Sequence, residues 1–414
     1  MAIRTDVAIV GAGPYGLSLA AHLAAAGVNL RIFGEPMQTW QEHMPEGMVL
    51  KSEGFASTLH DPQRRCTLQA YCAEHGLPYA DVGLPVPLKT FCDYGNSFQQ
   101  RCVPMLDRRM VTYLERSGDG FRLTLDDGET TEAHRVVVAA GIAPFWFIPP
   151  ELGGLPKPLL SHSIDHHKLD GFSGKEVAII GGGASSLDLA ALMHERKAAV
   201  TVITRGDRIA WCDPPRPRSM IDKIRWPMSG IGTGWRSLAC ELAPMVFHRM
   251  PAEFRVMVVR KHLGPAPGWS VREYVEQNVP IALNAIVADA REIDGRAYLR
   301  LRMQGGGTQE ITTDHVIAAT GFRVNLDRLA FLSLDLRARM KRVDQAPALS
   351  GQFESSIPGL YFIGTAAANS FGPLLRFAHG AGFASRRLSA HLSRLSSRSA
   401  VAMRGGLQPV QART

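Results

Sequence analysis

A chain of 414 residues with 45% hydrophobic side chains is too long for one ordinary core and implies two or three packed units. Its 46 Lys+Arg against 38 Asp+Glu give a net charge of +8, but the basic residues are scattered rather than gathered into a stripe, which argues against a nucleic-acid partner. No uninterrupted apolar stretch is long enough to span a bilayer and the first glycine motif leaves no room for a cleavable signal peptide, so a cytoplasmic location is expected.

The run Thr5-Asp6-Val7-Ala8-Ile9-Val10 enters Gly11-Ala12-Gly13-Pro14-Tyr15-Gly16, and a helix over 17–26 and a strand over 28–33 complete a βαβ unit. In such a cradle the first glycine makes the tight turn, the second lets backbone approach a pyrophosphate, and the third position must be small so that helix packs on strand. The N–H groups and the helix dipole then hold the diphosphate. A loop-rich stretch over 35–96, punctuated by Pro, Gly and His, follows. Strands are expected over 110–114 and 121–125, the second ending in the turn Asp126-Asp127-Gly128, and a strand over 136–140 runs into Gly141 as the exit from the first domain.

A Pro-rich linker over 143–158 leads to a second strand–cradle–helix–strand pattern over 174–204, with Gly181-Gly182-Gly183-Ala184-Ser185-Ser186 as its cradle. Residues 211–268 break into Pro/Trp/Arg-rich loops and short helices, an insertion that serves either as a lid or substrate wall or only as packing. Its basic stretch over 249–262 reads as a solvated helix face. Strands over 281–285 and 297–303 precede Asp314-His315-Val316-Ile317-Ala318-Ala319-Thr320-Gly321-Phe322, and a last strand Gly359-Leu360-Tyr361-Phe362-Ile363-Gly364 precedes a helix rich in Ala and Arg.

The expected architecture is α/β, with two Rossmann-like dinucleotide-binding domains, one inserted in the other. The first spans 1–160 and is completed by 320–395; the second spans 161–319, with the helical and loop insertion at about 211–268; residues 396–414 form a disordered tail. Two cradles imply electron traffic between two dinucleotides. In the first domain the ribose-end position after the second strand falls on Gly34, so the acidic Glu35 must reach by a one-residue shift. In the second it falls on Thr204, followed by Arg205 and Arg208. With no carboxylate to repel a 2′-phosphate, the arginines select NADPH over NADH.

The six cysteines show neither CxxC nor zinc-ligand spacing, so no redox dithiol motif is read. The cluster His162, Asp165, His166 and His167 sits in one short loop with no remote partner set, and no metal is expected there.

The first cradle, the second cradle ending in Ser186, the His162-Ser163 pair, Ala319-Thr320-Gly321-Phe322 and the late strand over 358–364 together resemble the class B flavin-dependent monooxygenases, near their lysine- and ornithine-hydroxylating branch. The resemblance implies FAD held by Gly11, Gly13, Pro14, Tyr15, Gly16, Glu35, Trp40, Leu50, Val111, Gly141 and Gly364. It implies NADPH held by Gly181, Gly183, Ser185, Ser186, Thr204, Arg205, Arg208, Thr320 and Gly321. Met48-Val49-Leu50-Lys51-Ser52 is similar to the flavin-side stretch whose lysine meets substrate in ornithine hydroxylases, which makes Lys51 the candidate catalytic cation.

The family's Phe-x-Gly-x-x-x-His fingerprint is incomplete, because Pro156 and Pro158 replace Phe and Gly. The segment Asn369-Ser370-Phe371-Gly372-Pro373-Leu374-Leu375-Arg376-Phe377 lacks the family's aspartate, which turns expectation from free ornithine or lysine to a more apolar or anionic small molecule. Phe371, Leu374 and Phe377 would line it, with Arg376 as carboxylate partner. By the resemblance, NADPH reduces FAD, O2 adds to form a C4a-(hydro)peroxyflavin, and one oxygen atom passes to nitrogen, sulfur or a related centre. An NAD(P)H-dependent flavin reductase without oxygen insertion and a non-catalytic flavoprotein module remain as alternatives, and assembly into a homo-oligomer stays open.

Overall fold

In the computed structural model, residues 4–405 are described apart from 217, 263 and 265. The apolar run after residue 3 forms the strand Arg4–Val10, whose Val7, Ala8 and Ile9 have no exposed surface, as a central parallel strand requires. It pairs on one side with Leu30–Phe33 (Val7 opposite Leu30) and on the other with Thr130–Val138 (Val10 opposite Val138). The antiparallel strands Gly120–Leu125 and Val111–Ser117 extend this sheet, and Leu360–Phe362 returns from far along the chain to pair with Thr130–Val138.

A second, all-parallel sheet runs in the order Ile281–Ala282, Ala199–Ile203, Glu176–Ile180, His315–Ala318, Leu160–His162. Val177 and Ile179 bury into one apolar cluster and Ala178 into another on the opposite face, the alternation of a doubly covered sheet. An antiparallel meander, Ala285–Ile293, Arg296–Met303 and Thr308–Thr313, supplies one of those covers. The chain passes between the two sheets at Trp146 and Phe322, which bridge antiparallel, and the Arg323 guanidinium lies 3.4 Å from the Phe147 ring centroid.

Three segments differ from expectation. The stretch over 35–96 is less loop-rich than read: it contains helix Leu68–Glu74 and most of the 15-residue helix Leu88–Cys102, which buries Leu88, Phe91, Cys92, Gly95 and Phe98 on one stripe. The insertion packs on the first unit: helices Pro244–His248 and Ala252–Lys261 lie against Ala368–Phe371, and Ile231 joins the first core. The C-terminal helix Ala381–Gly405 runs along helix Pro14–Ala25 with Ala384, Leu388 and Leu392 buried, and it continues through the first ten residues of the expected tail. Residues 406–414 of that tail lie outside the described residues.

Candidate active site

Gly11 leaves the first strand with φ +112°, and any side chain there would collide with the Ala139 carbonyl; its N–H donates to Phe33 O at 2.8 Å. A Cβ at Gly16 would strike Gly11 O, so only glycine lets the helix approach the turn. At Gly13, by contrast, a Cβ would meet nothing within 4 Å, and this residue caps helix Pro14–Ala25 with no side-chain bond. Open space over free helix N–H groups is what a pyrophosphate needs. Pro14, at the first helical position, has no N–H to leave unpaired.

The Tyr15 hydroxyl donates to Phe377 O at 2.8 Å, its ring lies against Gly364, and burial pushes its phenol well above the usual range. Beyond the second strand, Gly34 takes φ +124° beside Ala12, and Glu35 pairs with Arg108 at 2.9 Å. Arg108 was invisible to motif counting because it lies 73 positions from its partner. Val111 starts a strand opposite Leu125, just after Asp107, which bridges to Phe33. Trp40 stacks edge-on against Phe91, and Leu50 is buried opposite Val86. Gly141 takes φ +67° near Thr39.

The second cradle repeats the turn with one change. Gly181 has φ +143°, and a Cβ on it would collide with Ala319 O, the counterpart of Gly11 against Ala139. Where the first cradle ends in glycine, Ser186 donates its hydroxyl to Gly181 O at 2.7 Å and so closes the turn with a hydrogen bond. Gly183 caps helix Ala184–Glu195, and Ser185 is exposed above it. A Cβ on Gly182 would come within 2.6 Å of Thr204 Oγ1, so the end of the next strand abuts the cradle; Arg205 and Arg208 follow there, both exposed.

A small solvent-open cleft lies between the units, with His43, Met44 and Met48 on one wall and Ser163, Ser185 and Asp188 on the other. Burial lifts the Asp188 carboxyl to about 7, and the positive charge of Lys51 pulls the other way. Lys51 is exposed. Asp188 went unnoticed in sequence because it reads as one polar position of an alanine-rich helix.

The histidine cluster does not converge. His162 contacts Gly321 O at 3.1 Å, Asp165 accepts from His162 N–H, His166 meets Ser161, and His167 meets Met44 O at 2.6 Å. Among the described residues no group of three His, Cys, Asp or Glu is placed to hold a metal ion. Thr320 donates to Phe147 O, so Thr320 and Gly321 form the crossing between units.

The expected substrate segment divides. Phe371 is fully buried in the first core, stacked on Phe353 at 4.1 Å and His248 at 4.9 Å. Leu374 is 2% exposed, and Phe377 is half-buried beside Tyr15. Arg376 donates to Val259 O at 3.0 Å, burial lowers its pKa, and it makes no ion pair among the described residues. The basic stretch of the insertion is only partly a solvated face: Arg255 turns inward to Ser370 O, while Arg260 pairs with Asp344. Glu241 of the insertion accepts from His379 at 2.9 Å and from Gly230 N–H, which hold its carboxyl below the usual range; His379 in turn lies edge-on to Phe55.

A family model described as pyridine nucleotide-disulphide oxidoreductase matches residues 5–225. The chain is 29% identical over 209 residues to a ferredoxin–NADP reductase of Mesorhizobium japonicum, covering 49% of this chain and 53% of that one. It thus spans about half the length of the first curated relatives it matches. A longer alignment, 24% identical over 353 residues, joins it to a ferredoxin–NADP reductase of Saccharopolyspora erythraea and covers 82% and 80% of the two chains. Among solved structures, an ornithine N-hydroxylase of Kutzneria sp. 744 superposes with TM-score 0.74 at 14% identity, covering 95% of this chain and 100% of that one. The bacillithiol disulfide reductase of Staphylococcus aureus gives 0.65 at 15% identity, covering 95% and 99%. These structural likenesses show a shared two-dinucleotide fold. Among the described residues no helix is long and apolar enough to cross a membrane.

Proposed function

Because the chain belongs to the pyridine nucleotide-disulphide oxidoreductase family, we propose that it is an FAD-dependent monooxygenase consuming NADPH and O2 and placing one oxygen atom on nitrogen or sulfur of a small molecule. The balance is substrate + NADPH + H⁺ + O2 giving oxygenated substrate + NADP⁺ + water. Bound FAD would accept the hydride and activate O2. The open space at Gly13 fits its pyrophosphate, with Glu35 and Arg108 at the ribose end. The second cradle suits NADPH, whose 2′-phosphate Arg205 and Arg208 would grip.

The observation that carries the oxygenase reading is the cover built by the insertion. Phe247 and His248 close over Gly372 and Phe371, Glu241 fixes His379, and Tyr15 is tied to Phe377, so the insertion is braced against the segment beside the first cradle. Excluding water is what oxygen transfer needs, whereas an electron carrier needs an open flavin edge. Arg376, half-buried and without an ion pair among the described residues, would suit an anionic substrate. In the cleft, Asp188, lifted by burial against the pull of the Lys51 charge, would hold and release a proton near neutral pH.

The names of the curated relatives favour a second reading, a reductase passing electrons to an external acceptor. Turnover with NADPH and ¹⁸O2 over a panel of amines and sulfides separates the two. Labelled product supports oxygen insertion; rapid reduction of ferredoxin or a dye with no label in any product would replace it with the reductase.

A further inference from the structure

Cys66 and Cys102 lie 36 residues apart in the sequence, yet their Sγ atoms are 2.9 Å apart. Both are free and half-buried. A disulfide needs a sulfur–sulfur separation of about 2.05 Å, so the two sulfurs stand about 1 Å from bonding distance. The backbone at each end is held. Cys66 N–H donates to Asp61 at 3.1 Å and its carbonyl accepts from the Tyr94 hydroxyl at 2.8 Å. Cys102 ends helix Leu88–Cys102, where the neighbouring Arg101 grips Glu74 with two bonds of 2.7 and 2.6 Å. A solvent-open groove lined by Arg65, Cys66, Tyr71 and Arg101 reaches the first sulfur.

We propose that Cys66 and Cys102 are a redox-active dithiol, oxidised to an intrachain disulfide by a low-molecular-weight disulfide that enters along this groove. The Cys66 thiolate attacks one sulfur of the incoming disulfide, forms a mixed disulfide and expels one thiolate. Cys102 then loses its proton to solvent and attacks Cys66 Sγ, expelling the second thiolate. Two protein thiols are oxidised and the small disulfide is reduced to two thiols. The order follows from the groove, which is lined by Cys66 and not by Cys102. Burial and the adjoining Cys66 push the Cys102 thiol well up, so Cys102 stays protonated until its partner has reacted.

The test incubates the full chain with oxidised glutathione, blocks remaining thiols by alkylation, and maps peptides by non-reducing mass spectrometry. Titratable thiols should fall from six to four, with Cys66 and Cys102 peptides joined, and dithiothreitol should restore all six. Cys102→Ser should stop at a stable glutathione adduct on Cys66, and Cys66→Ser should give neither adduct nor cross-link, each variant retaining wild-type flavin absorbance. Six free thiols after oxidation, a cross-link through any other cysteine, or a Cys66→Ser variant that takes up glutathione at Cys102 as fast as wild type reacts would each overturn the proposal.

Discussion

Replacing Asp188 by Asn removes a carboxyl that the fold keeps protonated. Its ordinary value of 3.8 is raised to about 7 by burial in the cleft wall, against the pull of Lys51. Between these two values the native state binds a proton that the unfolded chain has released, so this residue lowers stability as pH rises from about 4 to 7, and its effect is level above that. The full penalty is about 4 kcal/mol at pH 8 and about 1.7 kcal/mol at pH 5. Asp188 keeps some solvent contact, which we take to halve both. Asn has similar shape and no charge at any pH. The advantage of Asp188→Asn over wild type should therefore grow by about 1 kcal/mol between pH 5 and pH 8, read as the shift in urea midpoint by circular dichroism. Lys51→Met should steepen the wild-type pH dependence, since it removes the one cation that eases ionisation. A gap between Asp188→Asn and wild type that is the same at both pH values would refute the reasoning.

Gly13→Asp should yield protein without flavin absorbance, because the new carboxylate fills the space left open over Gly13; a yellow variant with stoichiometric FAD would contradict the assignment of that space. Arg205→Ala should weaken NADPH by about 1.5–3 kcal/mol and leave NADH nearly unchanged in fluorescence titrations; equal losses for both would make Arg205 a structural residue. Burial, with Arg386, Arg64 and His22, drops the His60 imidazole to about 4. The unfolded chain thus binds the extra proton first, and stability contributed by neutral His60 is lost as pH falls from 6.5 toward 4. His60→Gln should flatten that acid limb of the urea-midpoint profile.

Both cradles were legible because their backbone requirements are absolute: Gly11 and Gly181 sit at positive φ against a carbonyl, and Gly16 admits no Cβ. The helix Leu88–Cys102 was legible in principle, with apolar residues at 88, 91, 92, 95 and 98, but the Pro, Gly and His before it drew attention to turns. Contacts between distant segments were not legible at all. Nothing in local pattern ties Glu35 to Arg108, Glu241 to His379 or Cys66 to Cys102, because each pair depends on how separately read elements pack. The packing of Phe371 was illegible for a related reason: an aromatic looks the same in sequence whatever ring it stacks on, here Phe353.

The curated relatives are named reductases, whereas the solved structures of like fold include both a hydroxylase and a disulfide reductase. The family match ends at residue 225, before the helices Trp235–Leu242, Pro244–His248 and Ala252–Lys261 and before the segment over 368–377 that they cover. What it spans is the pair of cradles, which any enzyme moving hydride from NADPH to FAD must build alike. The longer curated alignment crosses the cover only at 24% identity. Resemblance in the cradles therefore speaks for the cofactors and is silent about the electron's destination. That depends on whether the flavin edge is open to a carrier or enclosed with oxygen and substrate. Here the insertion leaves the second unit that carries it and packs on the first, and its Glu241 reaches His379 just ahead of the helix Ala381–Gly405. The oxygenase proposed above therefore rests on whether this packing across the units also encloses the flavin edge, which the fate of ¹⁸O2 reads directly.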